Sequence, residues 1–207
     1  MNYQHTTRSM QLRGQVRTLR QREELPLLRD HLLRLDRESR HDRFHGFMDD
    51  SFLERYAAKC AEDGTLIIAY LEDGVVRGAA ELHPPDQSPD GLPEIAFSVE
   101  ASLRRQGVGI ILFRRLIAEA RAKGYRSLRI TTGAQNHAMR ALANTFGAHL
   151  TFRHGESTGT IDLERLPLPE PMRSPMPTPI DTVRAMVTAN RACWKLWLQM
   201  YGLGRVA

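Results

Sequence analysis

Apolar positions along the chain recur at two spacings. Leu25, Leu28, Leu32 and Leu35 fall on one face of a helix over 23–35, with Pro26 in its first turn. Phe52, Tyr56 and Cys60 repeat at i, i+4 and i+8, and Ser51-x-x-Glu54 has the capping-box pattern, which predicts a helix over 51–60. Arg13–Leu19, with Val16 and Leu19 apolar, reads as a weaker first strand. The texture then changes. Leu66–Leu71 is a continuous apolar run of strand length, Asp73-Gly74 is a hairpin turn, and Val75–Leu82 is the returning strand. A loop with Pro84, Pro85, Pro89 and Pro93 separates these from a strand at Glu94–Val99.

The second half alternates. A helix over 107–123 places Ile110, Phe113, Leu116, Ile117 and Ala120 inward and stops at Gly124. A strand follows at Ser127–Thr132, then a helix at Asn136–Phe146 ended by Gly147. A strand pair at His149–Arg153 and Thr158–Leu163 closes the run. This order predicts an α+β fold, a mixed and mostly antiparallel central sheet flanked by helices. It lacks the strict strand–helix alternation of a dinucleotide-binding sheet. Residues 165–180 hold six prolines and read as a semi-rigid linker. Residues 181–207 carry one more amphipathic helix, with Trp194 and Trp197 on its apolar face; its expected roles, in order, are docking on its own domain and forming a homodimer.

Composition changes this picture little. The 207 residues carry 29 basic and 24 acidic side chains, a net charge of +5. The excess is interleaved with acids, and no aromatic and basic residues alternate as a stacking platform would, so nucleic acid is not an expected partner. No apolar run reaches membrane-spanning length, and the N-terminus is polar through Gln15, so the chain reads as cytoplasmic, without a membrane partner. Cys60 and Cys193 are expected to be reduced thiols, and no metal-ligand spacing is present.

Candidate chemistry centres on Arg104-Arg105-Gln106-Gly107-Val108-Gly109. Here a strand ends, a short basic turn follows, and two glycines open a long helix. The first helical turn exposes N–H groups with no internal acceptor, and the macrodipole adds positive potential. A pyrophosphate suits such a place, and glycine lets the backbone approach it closely. With this strand before it and Asn136, Met139, Leu142 and Phe146-Gly147-Ala148 after it, Arg104-x-x-Gly107-x-Gly109 resembles the coenzyme A signature of the GNAT superfamily of N-acetyltransferases. The likeness covers residues 12–164.

The resemblance implies a cosubstrate, acetyl-CoA, and no metal. It implies that backbone groups of Phe97 and Val99 pair with the pantetheine arm where two strands splay apart. Backbone N–H groups of Arg105, Gln106, Gly107, Val108, Gly109 and Ile110 would hold the pyrophosphate, Arg104 would add charge at the rim, and Asn136 would bond the cofactor near pantetheine. Glu94 is the candidate general base for an attacking amine. The tyrosine with which many members protonate the leaving thiolate falls at Ala143 here. Either another group or water protonates the thiolate, or it leaves unprotonated, which a thiol pKa of about 8.5 makes tolerable.

His41, Asp42 and His45 read as part of a polar loop between the first two helices rather than as a metal site. In similar enzymes this region borders the acceptor, which makes Arg40, Arg43, Phe44 and His45 candidate substrate contacts. The run from Leu32 to Phe44 also resembles bacterial protein-lysine acetyltransferases. The expected activity is therefore acetyl transfer to a primary amine of a small molecule or a protein lysine. The alternative is a non-catalytic acyl-CoA sensor.

Overall fold

The hairpin of Leu66–Glu72 and Val75–His83 anchors the sheet, because its first strand is apolar on both faces and must be covered on both. The computed structural model describes residues 12–166, save 21, 22, 88, 89 and 154. The expected linker and C-terminal helix fall outside the described residues. The strands are β1 (Gln15–Thr18), β2 (Leu66–Glu72), β3 (Val75–His83), β4 (Glu94–Val99), β5 (Ser127–Gly133), β6 (His149–Arg153) and β7 (Glu156–Asp162). The helices are α1 (Leu25–Arg34), α2 (Arg37–Phe44), α3 (Asp50–Glu62), α4 (Val108–Ala122) and α5 (His137–Thr145). One seven-stranded sheet runs β1-β2-β3-β4-β5-β7-β6. Every pairing is antiparallel except β4 with β5. The fold is the mixed α+β class that the element order predicts.

Two apolar cores lie on opposite faces of the sheet, and the strand period of two assigns residues between them. Ile68, Tyr70, Ile95, Leu128, Ile130 and Ile161 pack against α4 and α5. Ile67, Ala69, Leu71 and Ala79 pack against α1 and α3. The continuous apolar run Leu66–Leu71 follows directly, since neighbouring residues bury in different cores. In the first core Phe97, Phe113 and Phe146 stack in series, at 4.8 and 4.2 Å between ring centroids.

Three expectations are corrected. Residues 37–44 form a helix, not a polar loop. They carry almost no apolar period to reveal it; the helix starts because the Asp36 carboxylate accepts from Ser39 N–H at 2.7 Å. The cap of α3 is Asp49, which accepts from Phe52 N–H at 2.7 Å, rather than Ser51. Ile110 is exposed rather than inward; Val108 and Leu112 fill the core from that turn.

Among the described residues no helix is long and apolar enough to cross a membrane, and Cys60 is a buried free thiol. The phenylalanine stack joins α4, α5 and β4. Phe113→Ala is expected to cost about 3–5 kcal/mol through the cavity it leaves, read from the midpoint of urea unfolding.

Candidate active site

The site begins where two strands part. β4 and β5 pair only at Glu94–Arg129 and Ile95–Ile130. Beyond that level β4 stays with β3 as far as Val99, paired to Gly78, while β5 stays with β7 as far as Gly133, paired to Glu156. Residues 96–99 thus line one wall of an open wedge. Phe97 and Val99, expected to bond pantetheine, lie on this wall, with their side chains in the core under α4.

The wall leads into the loop before α4. Glu100 N–H donates to Arg77 O at 3.0 Å, and residues 101–103 make one 3-10 turn. Arg105 and Gly107 then adopt left-handed backbone, with φ of 60° and 91°. Gly107 holds its angle without strain; Arg105 does so at a cost of roughly 1–3 kcal/mol. The first intrahelical bond is Ile111 N–H to Gly107 O at 3.1 Å. The N–H groups of Val108, Gly109 and Ile110 therefore have no helical acceptor and point out of the helix start. Gly109 faces α5: a Cβ there would be in ordinary contact with Leu142, at 3.4 Å.

Arg104 and Gln106 turn back onto the protein. Arg104 donates to Val99 O at 3.3 Å and to Ser39 Oγ, and Gln106 donates to Ser102 O at 2.7 Å. Asn136 caps α5, accepting from Met139 N–H at 2.9 Å, with its Nδ2 3.5 Å from Asp42 O. Helix α2 packs against both β4 and β5. It thus touches Arg104 through Ser39 and Asn136 through Asp42, residues expected at the cofactor.

Opposed residues of paired strands share a face, so Glu94, Ala96 and Ser98 of β4 lie with His83, Glu81 and Ala79 of β3 on the side of α1–α3. Glu94 opens its strand at about one-third exposure, 3.9 Å from Arg129 Nε. Arg129 is itself tied to Asp90 at 2.6 Å.

The acceptor-side candidates divide. Arg40 donates to Leu33 O, Leu35 O and Asp50, bracing the end of α1. Phe44 packs edge-on against Phe52 and Tyr56. His45 ends α2 in left-handed backbone, with Nδ1 3.1 Å from Glu156 Oε1, which brings it beside the wedge. A cavity of about 500 Å³ opens among Leu35, Arg37, Arg40, Phe47, Met48 and Asp49. Arg37 lies over the Phe47 ring at 4.5 Å, and Phe47 is 71% exposed.

Arg43 points inward instead. Its Nη2 donates to Glu81 Oε2 at 2.9 Å and to the Tyr56 hydroxyl. Tyr56 in turn donates to Glu81 and lies 3.2 Å from His83 Nε2. Burial alone would raise the Glu81 carboxyl; the Arg43 guanidinium and bonds from His83 and Tyr56 outweigh it and bring it down to about 2. Burial, and then the Glu81 charge, push the Cys60 thiol up to about 12, so it is inert as a nucleophile. Sequence reasoning missed this network. Its signal was Glu81 itself, a carboxylate inside the run Ala79-Ala80-Glu81-Leu82. Among the described residues no group of three or more His, Cys, Asp or Glu is placed to hold a metal.

A wedge between β4 and a parallel neighbour, closed at one end by a glycine-bearing helix start, is the geometry against which known proteins can be compared. The model of the acetyltransferase (GNAT) family matches residues 29–148. The chain belongs to that family. The GNAT domain of S. lividans PAT superposes with a TM-score of 0.61 at 18% identity, over 72% of this chain and 90% of that one. An N-acetyltransferase from Staphylococcus aureus Mu50 gives 0.54 at 22% identity, over 72% and 98%. The protein yncA from Salmonella typhimurium, solved with its cofactor acetyl-CoA, gives 0.54 at 19% identity, over 77% and 99%. Among curated proteins none matches.

The Arg43–Glu81 pair sets a stability expectation. Arg43→Met leaves Glu81 buried without its counter-charge and should cost about 3–5 kcal/mol by urea unfolding. The Glu81 carboxyl is held below its ordinary 4.5. Its contribution is therefore complete above pH 4.5 and falls away as pH drops towards 2. Glu81→Gln should flatten the fall of unfolding midpoint over that interval.

Proposed function

We propose that the protein transfers an acetyl group from acetyl-CoA to a primary amine, of a small molecule or a protein lysine, by direct attack. The wedge between β4 and β5 carries this reading. It offers an extended arm one free strand edge at 96–99, and it ends at N–H groups suited to a pyrophosphate. Acetyl-CoA supplies the activated acyl group; the chain's own residues bind, orient and move protons. Phe97 and Val99 offer backbone groups, and Val99 N–H is a candidate donor to the thioester oxygen as negative charge grows there. Residues 105–110 receive the diphosphate, and Asn136 stands at the other side of the cleft.

Glu94 is our candidate base. It lies on the α2 side of the sheet, partly exposed, at the level where β4 and β5 last pair. A carboxylate there takes a proton from the incoming ammonium, directly or through water. His45, at the end of α2, is our candidate acceptor contact, and the α2 side of the sheet is where we place the acceptor. Arg40, Arg43 and Phe44 serve as its frame in this reading.

A second reading, a non-catalytic acyl-CoA sensor, is favoured by Ala143. That position is wholly buried in the core, so it presents no proton donor to the cleft. Release of free thiol separates the two. Acetyl-CoA should raise the melting temperature, and a panel of amines and peptides should include an acceptor that releases thiol. A thermal shift without thiol release on any acceptor favours the sensor, and no shift removes both readings.

Glu94→Gln should lower turnover roughly 100-fold at neutral pH while keeping the acetyl-CoA shift; unchanged turnover removes Glu94 from the mechanism. Gly107→Val, forced into left-handed backbone, should weaken acetyl-CoA binding roughly tenfold or more by calorimetry.

A further inference from the structure

His31 occupies an inner position of α1, between Leu28 and Leu32, where an apolar residue would complete the leucine stripe. It is wholly buried. Its Nε2 lies 2.9 Å from Ser98 Oγ on β4. Its Nδ1 lies 3.5 Å from Glu100 Oε1 and has no hydrogen-bond partner. Glu100 is held from two further sides, by Arg34 Nε at 3.0 Å and by Arg77 Nη1 at 3.0 Å. A hydroxyl, an imidazole and a carboxylate thus stand in line, the order in which an enzyme couples a proton-exchanging hydroxyl to a base and the base to an orienting charge.

Packing alone does not ask for this line. Apolar side chains at 31 and 98 would join α1 to the sheet without burying an imidazole and a hydroxyl. The position of Ser98 also matters. It lies between Phe97 and Val99, on the stretch of β4 that has parted from β5, and keeps 7% of its surface exposed. The position from which a tyrosine would serve the leaving group is Ala143, sealed in the core.

We propose that Ser98, His31 and Glu100 form a proton shuttle, which carries the amine's second proton to the departing thiolate. This rests on the reading that the protein acetylates amines from acetyl-CoA. Glu94 removes the first proton from the ammonium before attack and, being partly exposed, releases it to solvent. Bond formation between nitrogen and the carbonyl carbon leaves one excess proton on nitrogen and a negative charge on oxygen. Ser98 Oγ accepts that proton as its own passes to His31 Nε2, and Glu100 stabilises the resulting imidazolium through Nδ1–H. The oxyanion then re-forms the carbonyl, the carbon–sulfur bond breaks, and its electron pair goes to sulfur. His31 returns its proton to Ser98 Oγ, and Ser98 delivers its own to sulfur. One proton has moved from nitrogen to sulfur, and the three side chains are as they began. Ser98 is the catalytic residue of this relay; His31 and Glu100 position it and charge it.

The test compares two donors with the full-length protein: acetyl-CoA, and acetyl-seleno-CoA, whose more acidic selenol departs without a proton. With acetyl-CoA, Ser98→Ala and His31→Gln should each lower kcat roughly 100-fold, with KM for the donor within about twofold and the melting temperature retained. With the selenoester both variants should return to within a few-fold of the wild type. Ser98→Thr, which keeps the hydroxyl, should stay active on both donors. Equal losses on the two donors, or no loss on either, would overturn the shuttle. Should His31→Gln not fold, the Ser98→Ala and Ser98→Thr pair decides alone. Wild-type protein that binds acetyl-CoA but releases thiol with no amine would instead overturn the transfer reading, and the shuttle with it.

Discussion

Strand β4 cannot follow both of its neighbours, and the site grows out of that conflict. On one side it pairs with β3 along its whole length, from His83–Glu94 to Gly78–Val99. On the other it meets β5 for two residues only. β5 is held elsewhere, paired to β7 over its full seven residues. Hydrogen bonding keeps each strand with its better partner, and the sheet opens between them. An open edge inside a sheet normally leaves backbone donors and acceptors unpaired. Here it is the chemical resource of the fold, because an extended amide-bearing ligand can fill it.

The rest of the molecule supports this opening. The Phe97–Phe113–Phe146 stack fixes α4 and α5 against the sheet, so the start of α4 presents the N–H groups of Val108, Gly109 and Ile110 at the end of the wedge. On the opposite face α2 bridges β4 and β5 and binds Ser39 to Arg104 and Asp42 to Asn136. Two buried polar groups then tie the helices to the strands: Arg43 to Glu81, and His31 to Ser98. Buried charges and imidazoles are costly unless paired. Here each has its partner, Arg43 against Glu81 and His31 against Ser98.

Much of this was legible in the residues. The α+β class, all seven strands, and α1, α3, α4 and α5 follow from apolar period and turn chemistry. Gly107, Gly109 and the arginines before them mark a helix start by local rules alone, the place where we propose the diphosphate binds, since such a start needs no distant partner to expose its N–H groups. Helix α2 was not legible, because Arg37–Phe44 is nearly all polar and its support comes from a capping aspartate and from contacts across the sheet. The roles of Arg40 and Arg43 were also hidden. Both lie on one short polar helix, yet one braces backbone carbonyls and the other neutralises a carboxylate 38 residues away.

The sequence by itself determined every element but α2, and where a helix start bears glycines and arginines, because period, caps and glycines act within a few residues. Only the tertiary structure decided that β4 parts from β5 after Ile95, since strand pairing is a competition among segments far apart in the chain. It also decided which polar residues are buried together. His31, Ser98 and Glu100 give no joint signal along the chain, being 67 residues apart at the His31–Ser98 contact. They become a unit only when α1 packs on the sheet at β3 and His31 reaches Ser98 of β4.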